Sequence, residues 1–263
     1  MAVARQPTRD REDTNASPNH PRPTLGDNGA MKTVVDHLVV VAASLEEGER
    51  WCERTLGLAP GPGGQHPLMG TYNRLLRLDS PSFPDAYMEI IAIEPGATTE
   101  RRADQRRWFD MDDPDFAQHI ARNGPQLAHW VARTNDIAQA CRRWQALGID
   151  RGEAIATQRM SPQGKLAWQI TVRDDGARLF DGCLPTLLQW GSAHPAQAMP
   201  RHGLALEQVR VVHPQASLLN TAWQAVGLTG VSIDAGPAQI EATIATPRGR
   251  VVLNSAQPSI AAS

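Results

Sequence analysis

Several classes of protein are excluded by what this chain of 263 residues lacks. Its formal net charge is −2 and its arginines are scattered, so it has no basic surface of the kind that binds nucleic acid. It has no run of about 18 apolar residues that could span a bilayer, and its N-terminus lacks the apolar core of a signal peptide. We therefore expect neither nucleic acid nor a membrane as a partner.

Cysteine is scarce and carries no motif. Cys52, Cys141 and Cys183 show no CxxC spacing, and the first two fall in predicted helices, where cysteine usually acts as a small apolar residue. Unpaired cysteines are typical of proteins from a reducing compartment. The sequence therefore predicts a cytoplasmic location.

Both ends of the chain are poor in large apolar side chains. Residues 1–30 are rich in Pro, Asn, Asp and Arg and cannot offset the entropy of ordering, so we predict a disordered N-terminal tail. Met31 directly precedes the first predicted strand, which leads to the hypothesis that translation starts there. Residues 255–263 are predicted to form a solvated tail.

Between these tails, one pattern recurs three times: a short strand, an amphipathic helix and a stop at a glycine. In the first copy, Ser44 and Glu47 form a capping box that predicts the start of the helix, and Gly57 predicts its end. Three extended segments follow each helix, so each unit reads β-α-β-β-β, and such units are expected to pair to bury their apolar faces. The recurring strands are VDHLVVV at 35–41, AHWVART at 128–134 and EQVRVVH at 207–213.

These copies predict an α+β protein built of modules. The predicted segments are a first module at 31–96, a helical connector at 97–126, a second module at 127–200 and a third, divergent module at 201–254.

Four polar residues occupy corresponding places in the first two modules. His37 and His129 lie on the first strands, and Glu89 and Gln189 lie on the last strands. A carboxylate on an apolar strand face is costly unless it is paired or bound to a cation. Two imidazoles, a carboxylate and an amide oxygen could hold one divalent ion such as Zn²⁺, Ni²⁺, Mn²⁺, Co²⁺ or Fe²⁺. The alternative is that each of these side chains is a hydrogen-bonded core residue.

The third module has lost these polar positions. Gln208 stands at its first-strand position and Leu253 at its last-strand position. We therefore expect a packing role for it, either covering the cup formed by the first two modules or mediating a homodimer.

Three motifs resemble the vicinal oxygen chelate superfamily, and more narrowly its glyoxalase-like domain proteins. They are DHLVV at 36–40, GGQHPLMGTYN at 63–73 and YMEIIAI at 87–93, within a similarity that spans about residues 32–195. The resemblance implies that the paired modules form an open, cupped mixed sheet. It also implies that His37, Glu89, His129 and Gln189 are the metal ligands.

The resemblance departs from the family pattern at Gln189. Glyoxalase I enzymes have a glutamate there that acts as the catalytic base, and an amide cannot take up a proton near neutral pH. By the pseudo-symmetry of the modules, Glu89 is the predicted catalytic base instead.

The predicted function is a metal-dependent lyase or isomerase whose small substrate chelates the ion through adjacent oxygens. One alternative is a binding protein that sequesters a small hydrophobic or aromatic compound without chemistry. Another is an Fe(II) dioxygenase with His37, His129 and Glu89 as a facial triad and Gln189 weakly bound.

Four more residues are candidates for contact with the substrate. Three of them lie in the glycine-rich stretch at 63–73: His66, Thr71 and Asn73. The alternative interpretation of this stretch is a flexible turn. Trp168 lies in a predicted strand of the second module, where it could line an apolar pocket or simply pack in the core.

Overall fold

Apolar segments with strand or helix periodicity form the strands and helices of the protein. The structure is a computed structural model that describes residues 1, 30–161 and 164–256. The tails predicted at 1–30 and 255–263 lie almost wholly outside the described residues. By their internal contacts, the described residues from Met31 onward form one unit. The helices are α1 (Leu45–Leu56), α2 (Pro114–Asn123), α3 (Ile137–Ala146) and α4 (Ala216–Ala225). The strands are β1 (Thr33–Val41), β2 (Gly61–His66), β3 (Thr71–Arg77), β4 (Tyr87–Ile93), β5 (Gln126–Thr134), β6 (Glu153–Ser161), β7 (Gly164–Val172), β8 (Thr186–Trp190), β9 (Ala205–Val212), β10 (Leu228–Thr229), β11 (Val231–Asp234), β12 (Gln239–Thr246) and β13 (Gly249–Asn254).

A large mixed sheet combines the first two modules. Its order is β2-β3-β4-β1-β5-β8-β7-β6, with β10 paired to β1 beside this path. β1 and β5 are antiparallel neighbours at the centre, and each has the last strand of its own module as a parallel neighbour on its other side. The two halves therefore repeat the same connectivity, which confirms the predicted α+β fold of paired β-α-β-β-β modules.

Local signals start and end the first helix where the sequence places them. The Ser44 hydroxyl accepts a hydrogen bond from the Glu47 backbone N–H at 3.2 Å. Gly57 ends α1 with φ of 80°, a left-handed conformation that costs glycine little. These contacts satisfy backbone groups that would otherwise lack partners at the helix ends.

The central strands are apolar on both faces, since each face is covered. On the outer face, Leu38, Val40 and Trp130 pack with the helices and with the core of the third module. On the inner face, the cup, Val39 and Val131 pack with a different set of side chains. Alternation along a strand sends neighbouring side chains to opposite faces, so one strand supplies both cores.

The third module is a separate four-stranded sheet, in the order β11-β9-β12-β13, with α4 packed against it. Trp223 of α4 meets Trp130 edge to face, with ring centroids 5.8 Å apart. Trp144 of α3 donates a hydrogen bond from its indole N–H to the Ala222 carbonyl at 2.7 Å. The module thus packs on the outer face of the large sheet and not over the cup.

The connector fills the cup instead. Trp108, Phe109 and Met111 precede α2, and with Ile120 of α2 they belong to the inner core. The helical part of the connector is limited to α2, and the arginine-rich residues 101–107 before it are not helical. No helix in the described part of the chain has the length and apolar character needed to cross a membrane.

We expect Gly48→Ala to destabilise the protein although alanine favours helices. A Cβ at Gly48 would overlap the Ile90 side chain of β4, and overpacking costs about 1–3 kcal/mol against a propensity gain of about 1 kcal/mol. Chemical denaturation should show a lower free energy of unfolding. Glu53→Ala on the exposed side of α1 is the matched control and should change it by less than about 0.5 kcal/mol. A Gly48→Ala protein as stable as wild type would contradict this packing.

Candidate active site

A β-bulge in β1 positions the first two side chains of the site. The pairing of β1 with β5 shifts register between Val35 and His37, which makes Asp36 the extra residue. Adjacent residues of a regular strand point to opposite faces, but a bulge re-aims them. As a result, the buried His37 ring donates a hydrogen bond from Nδ1 to Oδ1 of buried Asp36 at 2.7 Å.

The Asp36 carboxylate has no exposed surface and is surrounded by donors. Its Oδ2 accepts hydrogen bonds from Trp190 Nε1 at 2.9 Å and from His194 Nε2 at 3.0 Å. The backbone N–H of Ala196 donates to Nδ1 of His194, which leaves Nε2 as the protonated nitrogen. Burial acts to raise the pKa of Asp36, but the hydrogen bonds from His194 and His37 hold it well below its usual range. Asp36 is therefore an anion.

His37 lies between two carboxylates. Its Nε2 is 3.6 Å from Oε2 of Glu89, on the side of the ring opposite Asp36. The Tyr87 ring stacks on the imidazole with centroids 4.6 Å apart. Burial acts to lower the pKa of His37, but hydrogen bonding to Asp36 and Glu89 raises it to about 9. The ring is thus a buried imidazolium at neutral pH, with its Nε2–H turned toward Glu89.

Glu89 faces three polar side chains. Asn73 donates a hydrogen bond from Nδ2 to Oε1 of Glu89 at 2.6 Å, and His66 Nε2 lies 3.8 Å from the same oxygen. Burial acts to raise the pKa of Glu89, but the hydrogen bond and charge of His37 lower it to about 2. Glu89 is therefore ionised, with one oxygen toward each imidazole.

The glycine-rich stretch is part of this site, because it forms β2 and the turn into β3. The Gly64 backbone N–H donates to Oδ1 of Asn73 at 2.7 Å, which orients the amide so that Nδ2 faces Glu89. A Cβ at Gly63 would overlap the Asn73 carbonyl, so this close approach needs glycine. Three of the candidates for substrate contact, His66, Thr71 and Asn73, are thus buried and brought together.

His66 is neutral. Its Nδ1 is 3.0 Å from the Thr71 hydroxyl. Burial lowers the pKa of His66 to about 4, opposed by Glu89 and assisted by Arg159 and His37. The site therefore pairs a charged imidazole with an uncharged one across the same carboxylate.

His129 lies on the cup face of β5, diagonal to His37, but its ring nitrogens are engaged elsewhere. Nδ1 donates to the Gly182 carbonyl at 3.0 Å, and Nε2 accepts from the Thr186 backbone N–H at 3.2 Å. The Phe109 ring packs against the imidazole, with centroids 5.2 Å apart. Burial, with Arg151 and Arg178, holds the pKa of His129 well below its usual range. In this arrangement His129 is a hydrogen-bonded core residue.

Gln189 points to the outer face of the sheet. Its Oε1 accepts a hydrogen bond from the Ile137 backbone N–H, at the start of α3, at 2.8 Å. In the first module Val39 pairs with Glu89, and in the second the corresponding Val131 pairs with Thr186. The residue of the second module that corresponds to Glu89 is therefore Thr186 and not, as expected, Gln189. Strand register, and not residue spacing, decides which residues of the two modules correspond.

Of the four predicted metal ligands, His37 and Glu89 lie side by side, whereas His129 and Gln189 are engaged elsewhere. Within the described ranges, no group of three or more His, Cys, Asp and Glu residues is arranged to hold a metal ion. His129 has no free lone pair and Gln189 faces the opposite side of the sheet. These residues do not fit the predicted divalent ion.

The polar cluster opens into an inner cavity of about 40 Å³ with mainly apolar and aromatic walls. Trp168, the fourth candidate for substrate contact, is one of these walls and packs against Trp190 with centroids 5.4 Å apart. The inner cavity is lined by His37, His66, Asn73, Leu75, Tyr87, Glu89, Trp108, Phe109, Arg159, Trp168, Ile170, Leu188, Trp190 and Pro195.

Two walls of this cavity come from a strained segment of the connector. Phe109 and Asp110 both have left-handed backbones, with φ of 60° and 57°. Asp110 accepts a hydrogen bond from Arg178 Nε at 2.8 Å, which ties the connector to the second module. Left-handed backbone at non-glycine residues costs free energy and persists only where surrounding contacts hold it. Here those contacts keep Trp108 and Phe109 over the site.

Sequence reasoning missed Asp36 and His194. Asp36 precedes His37 in the DHLVV motif, but strand alternation placed its side chain on the opposite face, and nothing local signals a bulge. His194 lies outside the strands, where pattern analysis has little to work with.

Comparison with known proteins shows the family to which this chain belongs. A family model described as a glyoxalase-like domain matches residues 35–227, and the chain belongs to this family. It is accordingly a member of the vicinal oxygen chelate superfamily, as the three sequence motifs predicted. No protein among those with curated descriptions matches the chain.

Solved structures resemble this chain at low sequence identity. A hypothetical protein from Staphylococcus aureus has 17% identity and a TM-score of 0.52, covering 78% of this chain and 87% of that one. Methylmalonyl-CoA epimerase from Mycobacterium tuberculosis has 16% identity, a TM-score of 0.36 and coverage of 63% and 91%. A mutant of 4-hydroxymandelate synthase from Streptomyces coelicolor has 14% identity, a TM-score of 0.40 and coverage of 85% and 62%. Of these three structures, the hypothetical protein shares the fold of this chain.

The low pKa of His66 makes stability depend on pH. The pKa falls from 6.5 to about 4 on folding, so the stabilisation is full above pH 6.5 and is lost as the pH falls toward 4. This difference corresponds to roughly 3 kcal/mol. We expect His66→Gln to flatten the decline in the free energy of unfolding between pH 6.5 and 4, measured by urea denaturation. His129 titrates in the same direction and is present in both proteins, so the difference between the two slopes isolates His66. Equal slopes would contradict a buried, neutral His66.

Proposed function

We propose that this protein is an enzyme that moves a proton at a carbon next to a carbonyl group of a small molecule, which is chemistry of the isomerase or lyase type. The observation that carries the proposal is Glu89, a buried carboxylate between two imidazoles at the base of a cavity. Acids and bases held in this way in a cleft are typical of catalytic sites.

Glu89 is the proposed base. It is ionised in the free protein because His37 stabilises its negative charge, while burial acts in the opposite direction. A substrate oxygen that takes the Nε2–H of His37 would remove much of this stabilisation. The basicity of Glu89 would then rise when substrate is bound, as a general base requires.

His37 is the proposed electrophile. As the proton leaves the carbon for the Glu89 carboxylate, the C–H electron pair moves into the carbonyl and places negative charge on its oxygen. The imidazolium Nε2–H stabilises this enolate oxygen by a charge-assisted hydrogen bond. Asp36 holds the His37 ring in position through Nδ1 and stabilises its charge. Return of the proton to the same or the neighbouring carbon completes an epimerisation or isomerisation, and departure of a leaving group completes an elimination.

This proposal uses the residues of the chain and routes no step through a metal, because the predicted ligands do not fit one. The facial triad of an Fe(II) dioxygenase needs His129 beside His37 and Glu89, and the nitrogens of His129 are already hydrogen-bonded.

A sequestering protein without chemistry is the second candidate. The aromatic walls of the inner cavity, Trp108, Phe109, Trp168 and Trp190, support it, because such surfaces bind the planar apolar groups of small compounds.

We expect Glu89→Gln to slow proton exchange strongly while the fold is kept. The protein would be incubated in D₂O with hydroxyacetone, 2-oxobutyrate and the methyl ester of 2-oxobutyrate, and loss of the proton next to the carbonyl followed by ¹H NMR. General base catalysis is worth about 10²–10⁴-fold, so the variant should lose at least about 100-fold in exchange rate.

The matched control is Glu207→Gln, an exposed carboxylate paired with Arg250 in the third module, which should exchange like wild type. The assay is run in chelator and again with added divalent ions. Equal exchange by wild type and Glu89→Gln would remove the base assigned here. Saturable binding with no exchange by wild type would favour the sequestering protein.

A further inference from the structure

A second, larger cavity adjoins the inner one. This outer cavity has a volume of about 370 Å³ and shares Leu75, Arg159 and Pro195 with the inner cavity. The inner cavity has room for a functional group and not for a whole metabolite. The remainder of any substrate that reacts at Glu89 must therefore lie in the outer cavity.

The charge of the outer cavity has one sign. Among the described residues that line it, Arg77, Arg159 and Lys165 are cationic and none is an aspartate or glutamate. Arg77 is neutralised by Asp79, with 2.6 Å between Nε and Oδ1. Within the described ranges, Arg159 and Lys165 have no ion pair, so their positive charge is not offset by the protein.

Arg159 stands where the two cavities meet. It is half-buried on β6, and it is close enough to His66 to help lower that residue's pKa. Gly64 makes room for it, since a Cβ at this position would overlap the guanidinium. The same glycine donates its backbone N–H to Asn73, which holds Glu89. The stretch that orders the site therefore also leaves space for a cation beside it.

We infer that the substrate is a small oxyanion, a carboxylate or a phosphate, whose charged group is bound by Arg159 at the junction of the two cavities while its carbonyl end enters the inner cavity. This inference rests on the proposed function and names its substrate class. A guanidinium pairs with two oxygens of a carboxylate or phosphate at once, and the half-buried position of Arg159 strengthens such hydrogen bonds relative to water. Arg159 thereby determines specificity, and Lys165, which is exposed, adds attraction that salt screens.

The test measures binding and exchange separately. Calorimetric titration of 2-oxobutyrate, its methyl ester and inorganic phosphate is compared for wild type, Arg159→Gln and Arg159→Lys. We expect Arg159→Gln to weaken 2-oxobutyrate binding by at least about tenfold, as loss of a hydrogen bond to a charged group implies. Arg159→Lys should lose less, and the uncharged ester should bind wild type and Arg159→Gln with equal affinity. The tighter of 2-oxobutyrate and phosphate identifies the kind of oxyanion.

Two further variants keep the result interpretable. Gly64→Ala retains the arginine but displaces its guanidinium, so it should also weaken binding of the anion. Arg250→Gln removes an exposed arginine that pairs with Glu207 far along the chain, and it should bind 2-oxobutyrate like wild type. Melting temperatures verify that each variant is folded.

Equal affinity of wild type and Arg159→Gln for both anions would overturn the inference. If wild type still exchanges the proton in that case, only the anion site is wrong and the proposed function stands. If Arg159→Gln loses the anion but wild type exchanges no proton, the anion site stands and the proposed function fails.

Discussion

The buried carboxylate of Asp36 is the constraint on which the candidate site depends. A charge without exposed surface is tolerated in a protein only when hydrogen-bond donors replace water. Its donors come from three parts of the chain: the neighbouring His37 on β1, Trp190 at the end of β8, and His194 beyond that strand. Asp36 thereby joins the centre of the sheet to the segment that follows β8. The hydrogen bond between Asp36 and Nδ1 of His37 fixes the ring so that Nε2 faces Glu89.

The two halves of the large sheet share a backbone plan but not a chemistry. In the first half, Glu89 faces open space between His37 and His66. In the second half, the corresponding place holds Thr186, whose backbone N–H and hydroxyl both lie at Nε2 of His129. Nδ1 of His129 donates to the Gly182 carbonyl, so backbone groups engage both nitrogens of this imidazole. The two halves therefore contain one open polar site and one sealed counterpart, and the Phe109 ring of the connector packs against the His129 ring of the sealed one.

Division of the cleft into two cavities follows from the connector and the glycine-rich stretch. Trp108 and Phe109 enter the cup and limit the inner cavity, so the polar cluster is kept from bulk water, where its charges would interact weakly. Gly63 lets β2 approach Asn73 closely, and Gly64 leaves space for the guanidinium of Arg159 where the two cavities meet. The proposed reaction and the inferred binding of an anion thus occupy adjoining spaces, a small one that contains the polar cluster and a larger, positively charged one.

The sequence by itself determined the helices and strands and their order, because these depend on local interactions. Ser44 begins α1, Gly57 ends it, and the repeated β-α-β-β-β pattern predicts the paired modules. It also predicted a polar site with His37 and Glu89, because such residues on apolar strands need partners, and contacts to substrate from His66 and Asn73 of the neighbouring glycine-rich stretch. Tertiary structure alone decided the partners. A bulge turned Asp36 toward His37, strand register turned Gln189 to the outer face, and backbone groups at Gly182 and Thr186 occupied His129. The reason is that periodicity specifies the face on which a side chain lies, whereas bulges, register and loop contacts specify what it meets there.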